Sequence, residues 1–137
     1  MALHVVRLGT PRLSAEGVRI GTVRRPPRGV PKSEFARRGF YDVWFPNLAP
    51  SEQLLKAGRA VESDHAWKAF ARAYRKEMNA PDTRRTLDLL TALSHDTDFS
   101  VGCYCADEGR CHRSILRELL EERGARMSPR VSEKDER

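Results

Sequence analysis

FSVGCYCADEGRCHRS, residues 99–114, holds all three cysteines of this 137-residue chain, and the reading of the fold starts there. Phe99-Ser-Val-Gly-Cys103-Tyr104 has the apolar and aromatic content of a buried strand. Ala106-Asp-Glu-Gly109 is a short acidic loop, and beyond Cys111 the residues Ile115, Leu116, Leu119 and Leu120 recur at helical spacing. A strand running through a short loop into a helix is a building unit of α/β folds. The helix start collects unpaired backbone N–H groups at the positive end of the helix dipole, where anions bind and thiolates form.

Working outward, residues 3–8 and 18–24 read as strands separated by a Gly/Pro/Ser turn. Arg24-Arg-Pro-Pro-Arg-Gly-Val-Pro31 follows as a stiff basic loop, because its prolines forbid helix and central strand. Phe40–Phe45 reads as a short strand ending at Pro46, and Ser51 as the N-cap of a first helix. Asp64 is the expected cap of a second helix, whose Trp67, Phe70, Ala71, Tyr74 and Met78 share one core-facing side. Pro81 opens a third helix with Leu87, Leu90 and Leu93 inward, and the helix over 111–123 stops at Gly124.

Interleaved strands and helices predict an α/β fold: one small layered domain over residues 5–125, with a largely parallel central sheet flanked by helices. Residues 126–137 are polar and patternless and are expected to be a disordered tail. In open parallel sheets, ligands bind beyond the carboxyl ends of the strands. The basic loop 24–29 and the turn 105–114 both leave such ends. They meet if strands 18–24 and 99–104 run parallel.

Charged residues make up 32% of the chain and the hydrophobic set 39%, a soluble balance with no apolar run of membrane-spanning length. The N-terminus has no signal-peptide pattern, so a cytoplasmic protein is expected. The net charge is +6, and Arg outnumbers Lys 20 to 5. Arginine grips phosphate and carboxylate bidentately, which suits anionic partners. The charge is not gathered into a long basic run, which weighs against a dedicated nucleic-acid surface.

Around the cysteines three readings compete. Cys105 or Cys111 acts as a thiolate nucleophile, with His112 to orient or move a proton, in a sulfurtransferase- or phosphatase-like enzyme. Alternatively, Cys103, Cys105, Cys111 and His112 hold zinc or iron, although Cys-x-Cys with an adjacent Cys-His is unusual spacing for a metal site. In the third, the cysteines pack in the core while Arg110, Arg113 and the helix amides hold an anion. Arg24 and Arg28 are preorganised in the proline loop to add charge, and Asp42 and Trp44 are candidate substrate contacts. No cofactor is required by the leading expectation, which is a small anionic ligand or nucleotide; a nucleic-acid end remains open and a membrane does not. The sequence is silent on oligomeric state.

Arg24-Arg-Pro-Pro-Arg-Gly-Val30, Asp42-Val-Trp-Phe-Pro-Asn-Leu-Ala-Pro-Ser51, Trp67-x-x-Phe70-x-x-x-Tyr74 and Cys105-Ala-Asp-Glu-Gly-Arg-Cys-His-Arg-Ser114, in this order, are similar to the bacterial domain-of-unknown-function family numbered 488. Its YeaO-like branch resembles the first half but typically lacks the Cys-His-Arg ending kept here. The resemblance implies a small cytoplasmic α/β domain. It nominates Arg24, Arg28, Asp42, Ser51, Cys105, Cys111, His112, Arg113 and Ser114, and supplies no reaction; Ser114 joins the anion-binding candidates on this ground.

Overall fold

The computed structural model describes residues 1–59, 63–105 and 111–129, with Arg59 by its backbone alone. Phe99–Cys103 forms β4, and all five of its residues are buried. Such continuous burial marks an inner strand of a parallel sheet. β4 pairs in parallel with β1 (Leu3–Arg7) on one side and with β2 (Val18–Gly21) on the other. β3 (Val43–Trp44) pairs in parallel with β2, giving the order β1-β4-β2-β3. The sheet is thus wholly parallel among the described residues.

Two of the expected strands are shorter than the sequence suggests. β2 stops at Gly21, where the Thr22 amide makes a last bond to the Gly102 carbonyl at 3.0 Å before the chain leaves the sheet toward the proline loop. Only Val43 and Trp44 of the segment 40–45 pair as strand, while Phe40 and Tyr41 turn inward. Tyr41 packs edge-on against Phe35 at 5.2 Å.

Four helices follow the pattern of the apolar residues: α1 (Glu52–Arg59), α2 (Asp64–Met78), α3 (Pro81–Ser94) and α4 (His112–Glu122). Ser51 caps α1 as expected, its Oγ accepting from the Leu54 amide at 3.2 Å. The cap of α2 is Ser63 rather than Asp64. Ser63 has the extended backbone a cap needs and accepts from the Ala66 amide at 3.1 Å, which leaves Asp64 as the first helical residue. In α3, Leu87 and Leu90 are buried but Leu93 is 38% exposed. At about 100° per residue the buried line runs on to Ser94, and Leu93 falls about 90° off its centre. Buried Ser94 is satisfied, donating to the Thr91 carbonyl and accepting from the Arg126 amide. Gly124, at φ +87°, ends α4 in the left-handed conformation expected of it.

One core lies between the sheet and the helices and contains Leu3, Val5, Phe99 and Val101 with Phe70, Tyr74, Leu87, Leu116 and Leu120. A smaller one gathers Val6, Leu8, Val23, Tyr41, Cys103 and Cys111. Contrary to the expected tail, Arg126–Ser128 run beside β1: the Leu3 amide donates to the Arg126 carbonyl and the Ser128 amide to the Leu3 carbonyl, both at 2.8 Å. Residues 130–137 lie outside the described residues.

A buried ion pair ties the start of β2 to its neighbours. Glu16 is 1% exposed and Arg19 0%. Arg19 Nε and Nη2 grip the two carboxylate oxygens, the second contact being 2.9 Å, and Ser100 Oγ donates to Glu16 at 2.7 Å. Burial pushes the Glu16 carboxyl up. Hydrogen bonds from Arg19, the Leu13 amide and Ser100 outweigh it and hold the group below its ordinary value near 4.5.

Candidate functional site

β2 and β4 run parallel, so the loops leaving their carboxyl ends do meet. Between them lies a cavity of about 610 Å³. The basic loop from Val23 to Arg28 forms one wall, Cys103 to Cys105 and His112 another, and Phe40, Pro50 and Leu55 complete it. Tyr104 pins the two walls together, its hydroxyl donating to the Arg25 carbonyl at 2.8 Å. The lining is thus largely apolar, with the arginines supplying positive charge.

Strand alternation and the first turn of α4 bring the three thiols together. Cys103 and Cys111 are 1% and 2% exposed, whereas Cys105 is exposed, and none is in a disulfide. Both buried thiols hydrogen-bond to Cys105. Those bonds outweigh its burial and, with the fields of His112 and Arg113, draw the Cys105 thiol down to about 2. Burial pushes Cys103 far up, reinforced by its bonds to Cys105 and Cys111. For Cys111, a bond from Cys103 favours the thiolate. Its bond to Cys105 and its burial prevail and hold it at about 12. Of the three, Cys105 is the thiol that its neighbours favour as thiolate. Excess iodoacetamide should therefore add one group to the native protein, at Cys105, and three after unfolding, as read by peptide mass spectrometry.

His112 is 7% exposed, and its Nε2 donates to the Thr22 carbonyl at 2.8 Å. That bond fixes the tautomer: Nδ1 carries the lone pair and faces Cys111 Sγ at 3.7 Å. Burial lowers the imidazole's pKa from its ordinary 6.5, opposed by the Thr22 bond and the field of Cys105. Among the described residues, Cys103 Sγ, Cys111 Sγ and a His112 ring nitrogen lie within 4.8 Å of one another, a donor set that could hold a metal ion.

Arg113 is 2% exposed, and its Nε and Nη1 are buried without a hydrogen-bond partner. Buried polar groups are almost always paired, and an unpaired guanidinium is costly. Its charge reaches Cys105, which it helps to hold as thiolate.

The structure distributes the other nominated residues unevenly. Arg24 lines the cavity, but its guanidinium is committed to the Pro50 and Ala49 carbonyls at 3.1 and 3.2 Å. Arg28 is exposed on the rim. Arg110 lies outside the described residues. Ser114 donates to the Cys111 carbonyl at 2.8 Å and shapes the helix start instead of lining the cavity. Asp42 is not brought to the cavity. Arg12 holds it bidentately at 2.7 and 2.8 Å near the start of β2, so it serves the loop packing. Trp44 stands on the sheet edge, its indole N–H donating to the Val23 carbonyl at 2.8 Å, outside the cavity wall. Thr22 and Tyr104 were not among the nominated residues. Thr22 acts through its main-chain carbonyl, which no residue type reveals, while Tyr104 between two cysteines was a visible signal.

A wholly parallel α/β sheet whose inner strand delivers thiols to a helix start, with an imidazole and a buried arginine, defines a small α/β protein with a cysteine–histidine–arginine turn. The chain matches the family model DUF488-N3a, described as an active DUF488-N3 subclade, over residues 3–124, and it belongs to that family. No curated protein and no solved structure matches it. Among the described residues, no helix is long and apolar enough to cross a membrane.

Proposed function

We propose that the cavity binds a phosphate-bearing ligand, a nucleotide or a nucleic-acid end, with its anionic group beside Cys105 at the start of α4. The observation that carries this is Arg113, a buried guanidinium with Nε and Nη1 unpaired, whereas the equally buried Arg19 donates five side-chain hydrogen bonds and buried Arg117 donates to the Ser128 carbonyl. Arg113 does not line the cavity, but its charge reaches Cys105, which does, so an anion beside Cys105 lies in its field. Arg28 at the rim adds attraction, Arg25 being paired with Glu52 at 3.2 Å, and the Pro, Phe and Leu lining suits a flat, apolar body attached to the anion. His112, fixed by its bond to the Thr22 carbonyl, positions the turn.

A second reading adds chemistry to the same binding event. Cys105 is the exposed thiol of the three and lines the cavity, and the family model's description names an active subclade. Cys105 is then the nucleophile of a sulfurtransferase- or phosphatase-like reaction. We also place the protein in the cytoplasm, since three neighbouring free thiols suit a reducing compartment.

Calorimetric titration of metal-free protein with inorganic phosphate and with adenosine 5′-monophosphate tests the binding. Both should bind, the nucleotide at least about tenfold more tightly, a difference of about 1.4 kcal/mol from the apolar wall. Failure of both to bind at about 10 mM, roughly −2.7 kcal/mol, contradicts the proposal.

A further inference from the structure

We infer that the thiol cluster is a site for a thiophilic divalent cation, zinc foremost, with Cys103, Cys111 and His112 as three ligands and Cys105 as a displaceable fourth. Metal occupancy and ligand chemistry at Cys105 then exclude each other. Three donors are already assembled: the two buried sulfurs and the ring nitrogen sit within 4.8 Å of one another, with the exposed Cys105 thiol interacting with both sulfurs from outside that group. Tetrahedral zinc, with bonds of about 2.3 Å to sulfur and about 2.0–2.1 Å to nitrogen, needs ligand atoms about 3.5–3.8 Å apart. Cys111 Sγ and His112 Nδ1 are 3.7 Å apart as they stand, so only small side-chain rotations remain.

The surroundings have the character of a metal site. His112 Nε2 donates to the Thr22 carbonyl, which makes Nδ1 the acceptor from the Cys111 thiol, and loss of that thiol proton on metal binding opens both atoms to the ion. A ligand histidine ordinarily has such an outer partner. The donors come from the end of β4 and the start of α4, two packed elements, so little ordering is required on binding. Three thiolates and a divalent ion leave a net charge of about −1, which the neighbouring Arg113 offsets. Cys-x-Cys with an adjacent Cys-His is unusual spacing for a metal site, and the fold nonetheless brings Cys103, Cys111 and His112 together.

The test uses the full chain, purified without a polyhistidine tag, stripped with chelator and titrated with zinc against a chromophoric chelator. Cys105 labelling by iodoacetamide is followed in parallel. One zinc per chain is expected, and saturation should slow Cys105 labelling at least about tenfold. Cys111→Ser and His112→Ala should each weaken zinc at least about tenfold. Cys105→Ser alters an exposed position, keeps the fold, and should still bind one zinc, more weakly. Uptake below about 0.2 equivalents, equal affinity in Cys105→Ser and wild type, or unchanged Cys105 labelling in the zinc-saturated protein overturns the inference. Phosphate and nucleotide titrations of the stripped protein are read separately. Zinc uptake without nucleotide binding removes the ligand proposal alone, and the converse removes this one alone.

Discussion

Arg113→Met should make the ligand-free protein more stable by about 1–3 kcal/mol, the cost of an unsatisfied buried polar group, while weakening phosphate and nucleotide binding at least about tenfold, or about 1.4 kcal/mol. The two effects have opposite signs because they share one cause. Nε and Nη1 of Arg113 are buried with no hydrogen-bond partner, so the folded protein carries two unsatisfied donors until an anion arrives. Methionine keeps much of the side chain's apolar stem and removes those donors. Urea denaturation with and without ligand reads both quantities. If the variant is less stable than wild type and binds ligand unchanged, Arg113 is a structural residue and the proposed function loses its support.

Glu16→Ala should cost about 3–5 kcal/mol, because it strands Arg19 without a counter-charge in a fully buried position. That is a large share of the roughly 5–15 kcal/mol by which a domain is stable. A pH dependence accompanies it. The Glu16 carboxyl titrates lower in the folded protein than in the unfolded chain, so its stabilisation is complete above the ordinary value near 4.5 and is lost as the pH falls through the lower folded value. Asp42, opposed by its burial but held down by Arg12 and the Arg19 amide, adds in the same direction. Urea midpoints measured between pH 7 and pH 3 should fall on the acid side in wild type and change less in Glu16→Ala. Equal acid sensitivity in both proteins would show that the pair is not the source.

The fold was legible because its strongest signals are local. A continuous apolar strand, a leucine stripe and a proline-stiffened basic loop each fix an element, and their alternation fixes a parallel sheet. The misjudged positions turn on geometry that periodicity does not carry. Ser63 and Asp64 both suit a cap, and only backbone conformation chooses between them. Leu93 is apolar yet lies off the buried line, where Ser94 satisfies its hydroxyl locally. The residues after Arg126 look like tail because a main-chain pairing with Leu3 needs no particular side chain.

For the site, the sequence carried the cysteines, His112 and the basic loop, since all follow strand ends of a parallel sheet. It did not carry which charges are free. Arg24 and Arg113 are the same residue type near the same turn; one is spent on two carbonyls and the other has unpaired nitrogens. Asp42 and Trp44 stood beside each other in a promising strand, but Arg12 and the Val23 carbonyl engage them elsewhere. Partners distant in sequence decide each of these cases.

The most direct measurement is the rate of Cys105 alkylation in metal-free protein as adenosine 5′-monophosphate is added. Occupancy of the cavity beside Cys105 should slow labelling at least about tenfold at saturation, equivalent to about 1.4 kcal/mol, and Arg113→Met should need a much higher nucleotide concentration for the same protection. A labelling rate that stays constant through saturating nucleotide would contradict an anion site at the start of α4.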